Sequence, residues 1–406
     1  MNKTDRVICI LPLAHIFQLV IELIGFYWGA CHCYANPKTL TSVSCKNCLG
    51  DMMVFKPTFM PAVGAIWEAL KKGLLVQISL LPRASQKIFW NAYNAKVALT
   101  SRRHHRSNAL SSAIDGLVFK KVRAFTGGCL KLTLNGGSGI SVETQKFLTQ
   151  VLGAPMLIGY GLTETTANTC LMDPKLFEYG CCGSIAASIT MKLIDVPESG
   201  YFAKNNQGEI IIKGSAITVG YYKNEEETKK AFSHGDGWFS TGDIGEFLPN
   251  GDLKLIDRRK NMIKNLNGEY IALEKLESIY KANPVIGNVC CYADEYKHKP
   301  LAIISPNEPV VKKMARDLGI VKSANEAALS ELIKEDKLCI EITKTVIDTG
   351  KKHGLNGFEL IEAVVLVDDE WTPENGYVSA AQKLQRKKIL ASVWDRVQKL
   401  SGEPVI

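Results

Sequence analysis

Residues 130–165 constrain the fold of this chain more than any other segment. The apolar residues of Leu130–Leu134 predict a strand, and Met156–Ile158 predicts a second one. Between them Ser141 can cap a helix, whose apolar residues follow helical spacing at Phe147, Leu148, Val151 and Leu152. A strand, a helix and a strand joined by a short return form a βαβ unit with parallel strands, so we expect an α/β fold.

Glycine-rich loops follow both of these strands. Asn135–Gly139 follows the first strand, and the second strand runs into Gly159–Thr165. The carboxyl ends of neighbouring parallel strands lie at the same edge of a sheet, and ligands bind at that edge in open α/β folds. The sequence therefore predicts a ligand site formed by these two loops.

An apolar run over residues 7–34 resembles both a signal peptide and a membrane-spanning segment. The basic residues before it resemble the start of a signal peptide, and its length approaches the ~20 apolar residues of a membrane span. Pro12, His15, Gln18 and Glu22 interrupt the run, and a charged residue at bilayer depth costs at least about 2.5 kcal/mol. We therefore interpret it as a buried strand followed by a buried helix, with no transmembrane helix and no evident targeting segment.

The charge and the cysteine content narrow the class of protein. The chain has 406 residues, with 49 Lys and Arg against 41 Asp and Glu, and a net charge of +8. This surplus suits an anionic small molecule or an acidic membrane surface, but it is too diffuse to indicate nucleic acid. The spacing of Cys31, Cys33, Cys45 and Cys48 is close to that of a zinc site, but one pair lies in an apolar, strand-like stretch. We favour buried free thiols in a reducing, cytosolic compartment over zinc.

The sequence pattern changes twice in the remainder of the chain. Short β segments dominate residues 184–255. After residues 257–260 a compact α+β pattern follows, in which Asn267-Gly268 indicates a hairpin. We place a domain boundary at this point, which gives domains over 1–256 and 257–406.

Five segments occur in an order and spacing that a known family shares. They are Leu11–Phe17, Gly159–Thr165, Asp236–Asp243, Asp257–Lys260 and Gly268–Ile271. With these motifs the chain resembles the adenylate-forming (AMP-binding) enzymes, and its stretch from residue 236 to 271 resembles the signature of eukaryotic long-chain fatty acyl-CoA synthetases. The resemblance implies part of a large α/β N-terminal domain followed by a small, mobile α+β C-terminal domain.

Members of this family activate a carboxylic acid in two steps. ATP and the acid form an acyl-adenylate and release pyrophosphate, and coenzyme A then displaces AMP to form the acyl-CoA. The resemblance therefore implies a long-chain fatty acid as the substrate, together with ATP, coenzyme A and Mg²⁺. A ligase for another acid, such as an aryl acid, is an alternative against which the signature over residues 236–271 argues.

The resemblance assigns the adenine to the two glycine-rich loops. Tyr160 is expected to stack on the ring, and Gly161 follows it in the same loop. The backbone of Gly136, Gly137 and Ser138 is expected to line the other side, because glycine lets the chain approach a flat ring closely.

Two further residues are expected to bind the ribose. Asp243 can accept hydrogen bonds from both hydroxyl groups, and Arg258 can add a donor. Without the family motif, Thr241-Gly242-Asp243 would be interpreted as a turn and Arg258 as a surface cation.

Three residues are expected to act on the reacting groups. Thr163 is expected to hydrogen-bond the α-phosphate, and Glu164 to bind Mg²⁺, a hard ion that takes oxygen ligands. Lys383 matches the family's adenylation lysine, which can bridge the attacking carboxylate and the α-phosphate. The alternatives are a solvated loop carboxylate for Glu164 and a basic surface cluster for Lys383, near which Ser379 and Ala380 stand where the family commonly has Thr.

The remaining assignments concern domain movement, coenzyme A and the acyl chain. Lys260 corresponds to the hinge about which the small domain rotates between the half-reactions, and Gly268, Glu269 and Tyr270 are expected to contact the coenzyme A arm. His15 lies where the family places a residue beside the acyl group. A satisfied core histidine is the equally weighted alternative.

One element of the family is missing from the sequence. Every adenylate-forming enzyme has a Ser/Thr/Gly-rich loop ending in Pro-Lys-Gly, which grips the β- and γ-phosphates, and the 406 residues contain no such loop. The family places it before the Leu11–Phe17 motif. We therefore expect the chain to be the C-terminal part of a longer enzyme, with an apolar surface exposed around residues 7–34. The alternative is a non-catalytic fragment that binds only nucleotide, acyl-CoA or partners.

The amphiphilic substrate also suggests a location. We expect peripheral association with the cytoplasmic face of the endoplasmic reticulum, a lipid droplet or the plasma membrane, and a cytoplasmic location otherwise. The net charge of +8 does not oppose such an association.

Overall fold

The computed structural model describes residues 1–42, 45–101, 109–322 and 327–400, and it divides into two compact units. The N-terminal unit is Met1–Leu255 and the C-terminal unit is Ile256–Ile406. The sequence places the division one residue later, after residue 256. Each unit has a hydrophobic core of its own.

The N-terminal unit is built on a seven-stranded sheet. Its strands are β1 (Arg6–Cys9), β2 (Cys31–Tyr34), β3 (Phe59–Ala62), β4 (Leu132–Asn135), β5 (Met156–Tyr160), β6 (Cys170–Leu171) and β7 (Ser184–Ile185). They lie in the order β2-β1-β3-β4-β5-β6-β7. Strands β1 to β5 pair in parallel, whereas β6 and β7 continue the sheet antiparallel. The predicted α/β class and the parallel pairing of β4 with β5 are confirmed.

Helices cover both faces of this sheet. They are α1 (Ile16–Trp28), α2 (Asp51–Phe55), α3 (Gly64–Ser79), α4 (Arg83–Ser101), α5 (Ala109–Ile114), α6 (Lys120–Ala124) and α7 (Val142–Leu152). Alternate residues of β1 point into different cores, because successive side chains of a strand face opposite sides. Ile8 packs with residues of α3 and α7, whereas Val7 packs with Phe17 and Ile21 of α1. The helix predicted after Ser141 is α7, and the Ser141 hydroxyl accepts a hydrogen bond from the Thr144 N–H at 3.1 Å.

The apolar run near the start of the chain is only partly buried. Strand β1 is buried as predicted, with Val7 and Ile8 fully inaccessible. The prediction of a buried helix is wrong for the outer face of α1, where Phe26, Tyr27 and Trp28 are 63%, 83% and 51% exposed. This helix packs through one side onto a single face of the sheet, so its other side remains an apolar surface. Within the described ranges no helix is long and apolar enough to cross a membrane.

The N-terminal unit also contains a second sheet, whose last strand continues along the chain into the C-terminal unit. Its strands are β8 (Ile189–Ile194), β9 (Gln207–Gly214), β10 (Phe239–Phe247) and β11 (Leu253–Arg258), and helix α8 (Glu225–Ala231) lies between β9 and β10 in the chain. Strand β9 pairs antiparallel with both β8 and β10. The order is β11-β10-β9-β8. The short β segments predicted for this region are therefore present.

The C-terminal unit has the predicted α+β composition. Its elements are β12 (Met262–Lys264), β13 (Tyr270–Ala272), α9 (Leu273–Tyr280), β14 (Ile286–Tyr292), β15 (Leu301–Pro306), α10 (Glu308–Asp317), α11 (Leu329–Leu332), α12 (Asp336–Lys352), β16 (Val364–Leu366) and α13 (Arg386–Leu400). Strands β12 and β13 form the hairpin that Asn267-Gly268 indicates, and Gly268 has a φ of +83°. Strands β14, β15 and β16 form a separate sheet.

Candidate active site

The two glycine-rich loops lie next to each other at the carboxyl edge of the large sheet. Asn135 at the end of β4 is in register with Ile158 of β5. The first loop is held in place by hydrogen bonds. The Asn135 amide donates to the Ser138 carbonyl at 2.8 Å, and the Ser138 hydroxyl accepts from the N–H of Gly64 at 2.8 Å. The two loops therefore lie at one sheet edge as predicted, and the first is hydrogen-bonded to the start of α3. Ligand binding at this edge stays a prediction.

His15 and Phe17 lie beside the first loop. The His15 ring caps α1, because its Nδ1 accepts a hydrogen bond from the Phe17 N–H at 3.2 Å. A Cβ atom on Gly136 would lie 2.9 Å from the Phe17 ring, so a larger residue there would clash. His15 lies close to Gly137, where a Cβ atom would be 3.6 Å from the imidazole. The half-buried histidine thus has a structural role next to the loop, and its contact with an acyl group stays a prediction.

Tyr160 and Asp243 are joined by a buried hydrogen bond. The tyrosine hydroxyl donates to Asp243 Oδ2 at 2.7 Å, and each residue is 5% exposed. Burial and the nearby Asp243 charge raise the pKa of Tyr160 well above its usual value, so the phenol remains a donor. The sequence assigns these residues to adenine and ribose separately and gives no sign of the bond between them.

The second loop forms a tight turn immediately after β5. Thr163–Thr165 is a single turn of 3₁₀ helix, with Thr163 exposed and Thr165 buried. The Thr165 hydroxyl accepts from the Leu162 N–H at 2.9 Å, which closes the turn. Gly161 is required here, since a Cβ atom would lie 2.2 Å from the Ala167 carbonyl oxygen. The turn leaves the Thr163 hydroxyl accessible to a ligand.

Glu164 occupies the same turn and is half-buried. Its Oε1 accepts a hydrogen bond from the Tyr221 hydroxyl at 2.8 Å. Burial, and then the Glu164 carboxylate, raise the pKa of Tyr221 to about 12. Sequence reasoning did not identify Tyr221, because its position 57 residues further along the chain carries no motif that pairs it with Glu164.

The oxygen donors of this turn are compatible with a magnesium ion. Mg²⁺ in nucleotide sites is commonly held by one or two carboxylates, with substrate phosphates and waters completing the octahedron. Glu164 supplies one carboxylate, and no group of three or more His, Cys, Asp or Glu side chains arranged for a metal occurs among the described residues. The donor set therefore suits a metal that arrives with a phosphate ligand.

In the C-terminal unit Lys383 lies at the end of a tight loop. The Ser379 N–H donates to the Lys383 carbonyl at 2.8 Å, and the Lys383 N–H donates to the Ser379 hydroxyl at 3.2 Å. Gln382 inside the loop has a φ of +60°. Ser379 thus supplies a hydroxyl group to this loop, and the Lys383 side chain is exposed.

Arg386 anchors the segment that carries Lys383. It is the first residue of α13, and its guanidinium forms a bidentate ion pair with Glu277 of α9, with Nη2 to Oε2 at 2.8 Å. Glu277 is 4% exposed and also accepts from the Cys291 N–H at 2.8 Å. Sequence reasoning missed this pair, because Glu277 and Arg386 are 109 residues apart and no motif links them.

The other assigned residues of the C-terminal unit lie in turns and at strand ends. Arg258 ends β11, and its Nε is 3.9 Å from Glu274 Oε1. Lys260 is exposed in a 3₁₀ turn over Arg259–Asn261. In the hairpin, the Glu269 N–H donates to the Asn265 side chain at 2.8 Å. The roles of Arg258 with ribose, Lys260 as a hinge and residues 268–270 with coenzyme A stay predictions.

Asp257, a buried residue near the predicted hinge residue Lys260, indicates a pH dependence of stability. Burial raises the pKa of Asp257 to about 7, although its carboxylate accepts hydrogen bonds from the N–H groups of Arg258 and Glu274. In the unfolded chain an aspartate ionises near pH 3.9. Between about pH 4 and pH 7 the folded unit therefore binds more protons than the unfolded chain, and its free energy of unfolding falls as the pH rises.

Asp257→Asn tests this dependence. The amide oxygen can accept from one of the two N–H groups, and the side chain cannot ionise. We expect the urea midpoint of the wild-type protein to fall more steeply between pH 5 and pH 7.5 than that of the variant. Equal slopes in the two proteins would contradict the assignment.

Comparison with known proteins places the chain in a family. The model of a family described as AMP-binding enzyme matches residues 1–222. Long-chain-fatty-acid–CoA ligase 1 of Saccharomyces cerevisiae is 54% identical over 397 residues, covering 98% of this chain and 56% of the yeast protein. Long-chain-fatty-acid–CoA ligase 4 of the same yeast is 51% identical, covering 99% and 56%. The adenylation domain of a carboxylate reductase from Mycobacterium chelonae has a TM-score of 0.75 at 22% identity, covering 98% of this chain and 54% of that one.

These comparisons agree with the fold described above. The architecture is that of the adenylate-forming enzymes, with two loops meeting at the edge of a parallel sheet and an α+β unit following in the chain. The chain belongs to the AMP-binding enzyme family, because the family match covers more than half of its 406 residues. It spans about 56% of the length of the curated relatives it matches.

Proposed function

We propose that this chain carries the nucleotide-binding and adenylation residues of a long-chain fatty acid–CoA ligase. Such an enzyme forms an acyl-adenylate from ATP and a fatty acid, releases pyrophosphate, and then forms acyl-CoA and AMP. The observation that carries the proposal is the meeting of loops 136–138 and 161–165 at one sheet edge, beside the Tyr160–Asp243 hydrogen bond. The names of the yeast relatives support a long-chain fatty acid as the substrate.

The nucleotide is proposed to bind at this edge through complementary groups. The backbone of Gly136, Gly137 and Ser138 and the ring of Tyr160 provide flat surfaces for adenine. A carboxylate can accept hydrogen bonds from a vicinal diol, so Asp243 is proposed to bind the ribose. The Tyr160 hydroxyl occupies one oxygen of Asp243 and thereby fixes the plane of the carboxylate for this task.

Thr163 and Glu164 are proposed to act on the phosphates. The accessible Thr163 hydroxyl can donate to an α-phosphate oxygen, and Glu164 would hold Mg²⁺ through its carboxylate. When bound, the ion supplies positive charge that offsets the repulsion between a carboxylate and a polyphosphate.

Lys383 is proposed to supply further positive charge to the attacking carboxylate and the α-phosphate. A lysine carries a compact charge at neutral pH, which suits the stabilisation of negative charge that develops during attack. Lys260 is proposed to be the hinge, and residues 268–270 are proposed to contact coenzyme A in the second step.

A second candidate function is binding without catalysis. The observation that favours it is that the 406 residues contain no Ser/Thr/Gly-rich loop ending in Pro-Lys-Gly. A chain without residues that bind the β- and γ-phosphates would bind AMP or acyl-CoA in preference to ATP.

Titration of the purified protein with AMP tests the nucleotide site. We expect Asp243→Asn to weaken AMP binding by about ten- to hundredfold, because hydrogen bonds to a charged group contribute about 1.5–3 kcal/mol. The amide is isosteric and can still accept from Tyr160, so the fold should persist. Asp236→Asn is the matched control, since that aspartate side chain is 82% exposed and pairs with Lys213.

The same protein is then assayed for fatty-acid-dependent release of pyrophosphate. Release of pyrophosphate with palmitate supports the ligase. AMP binding without pyrophosphate release supports the second candidate instead. Equal AMP affinity in the wild-type protein and Asp243→Asn would exclude the proposed site for both functions.

A further inference from the structure

The turn that carries Glu164 is docked on the segment 216–221 by three hydrogen bonds. The Thr218 N–H donates to the Glu164 carbonyl at 2.8 Å, and the Thr166 hydroxyl donates to the Ala216 carbonyl at 3.3 Å. The third bond joins the side chains, with the Tyr221 hydroxyl donating to Glu164 Oε1 at 2.8 Å. The first bond therefore joins the two backbones, the second joins a side chain to a backbone, and the third acts on the carboxylate itself.

Tyr221 is itself held by the start of α8. Its N–H donates to the Thr228 hydroxyl at 2.9 Å, and its carbonyl accepts from the Asn224 N–H at 3.2 Å. A Cβ atom on Gly220 would lie 2.8 Å from the Thr228 side chain, which shows how closely the segment packs on the helix. The backbone N–H and the backbone carbonyl of Tyr221 are thus both hydrogen-bonded, and the phenol extends from this fixed backbone to Glu164.

The conformation of the turn adds to the need for such support. Thr166 and Ala167 have φ values of +54° and +62°. Left-handed conformations are costly for residues with a side chain, and most of all for a β-branched one. The turn therefore depends on the surrounding contacts, and the segment 216–221 provides two of them through Thr166 and Glu164.

We propose that Tyr221 is a positioning residue for the Glu164 carboxylate. It holds Oε1 and leaves Oε2 for the divalent cation that accompanies the nucleotide. This inference rests on the proposed function, since it assumes that Glu164 binds the cation. Mg²⁺ requires nearly ideal octahedral coordination. A carboxylate that is already oriented by a hydrogen bond to a neighbouring residue loses less conformational freedom when the ion binds.

Binding of Mn²⁺, measured by electron paramagnetic resonance in the presence of α,β-methylene-ATP, tests the proposal. We expect Tyr221→Phe to raise the Mn²⁺ dissociation constant about tenfold, because loss of an outer partner typically costs 10- to 100-fold in metal affinity. Melting temperature and AMP affinity without metal should not change. Glu164→Gln should abolish the bound signal.

Tyr222→Phe is the matched control, because Tyr222 is the neighbouring residue and is 88% exposed. It should bind Mn²⁺ like the wild-type protein. If Tyr221→Phe also binds like wild type while Glu164→Gln does not, the positioning role is overturned and the metal site stands. Equal weakening in both phenylalanine variants would likewise overturn it. If the wild-type protein neither binds Mn²⁺ with nucleotide nor forms adenylate, the inference and the proposed function fail together.

Discussion

Replacing Arg386 with alanine is expected to lower the free energy of unfolding of the C-terminal unit by about 3–5 kcal/mol. The substitution leaves the carboxylate of Glu277, which is 4% exposed, without its ionic partner. An unpaired buried charge is far more costly than the pair, whose net contribution is small. Hydrogen exchange followed by mass spectrometry on peptides from β14 and α9 measures the effect, with peptides of the N-terminal unit as an internal reference.

The matched control is Lys387→Ala, which removes the next, exposed cation of α13. It should leave exchange in β14 unchanged. The double variant Glu277→Gln/Arg386→Met should recover most of the loss, because the buried charge is gone and the amide oxygen can still accept from Cys291. Unchanged exchange in Arg386→Ala, or no recovery in the double variant, would show that the pair does not anchor α13.

Replacing Lys383 with alanine is expected to lower the rate of adenylate formation by about 10²- to 10³-fold, the usual effect of removing one group that stabilises developing charge. The side chain is exposed and its loop is held by backbone groups and Ser379, so the fold should not change. Fatty-acid-dependent exchange of labelled pyrophosphate into ATP measures this step.

Two comparisons make the Lys383 result specific. Lys387→Ala removes a nearby cation and should retain full exchange activity. Transfer from a synthetic acyl-adenylate to coenzyme A should be much less affected in Lys383→Ala, because the lysine is assigned to the first step. Full adenylation activity in Lys383→Ala would refute the assignment and leave this residue as part of a basic surface cluster.

Local structure in this chain follows closely from local sequence. The α7 helix begins after Ser141 and ends at Leu152, because a capping hydroxyl and a following glycine act within a few residues. The hairpin at Asn267-Gly268 also forms as expected, since glycine tolerates the φ of +83° that the turn requires.

Burial was less predictable than secondary structure. An apolar helix such as α1 looks the same in sequence whether one side or all of it is covered. Phe26, Tyr27 and Trp28 are exposed because only one side of α1 meets the sheet. Glu277 presents the opposite case, a charged residue that is buried because a distant arginine neutralises it.

The sequence by itself determined the family, the βαβ unit and the side chains available for chemistry, since motifs and periodicity are properties of neighbouring residues. Only the tertiary structure decided which of these side chains meet. Tyr160 and Asp243 are 83 residues apart, Glu164 and Tyr221 are 57 apart, and Glu277 and Arg386 are 109 apart. Each pair forms only when the strands and helices that carry the two residues pack together in the folded chain. The spacing of residues along the sequence does not indicate which distant side chains will come into contact.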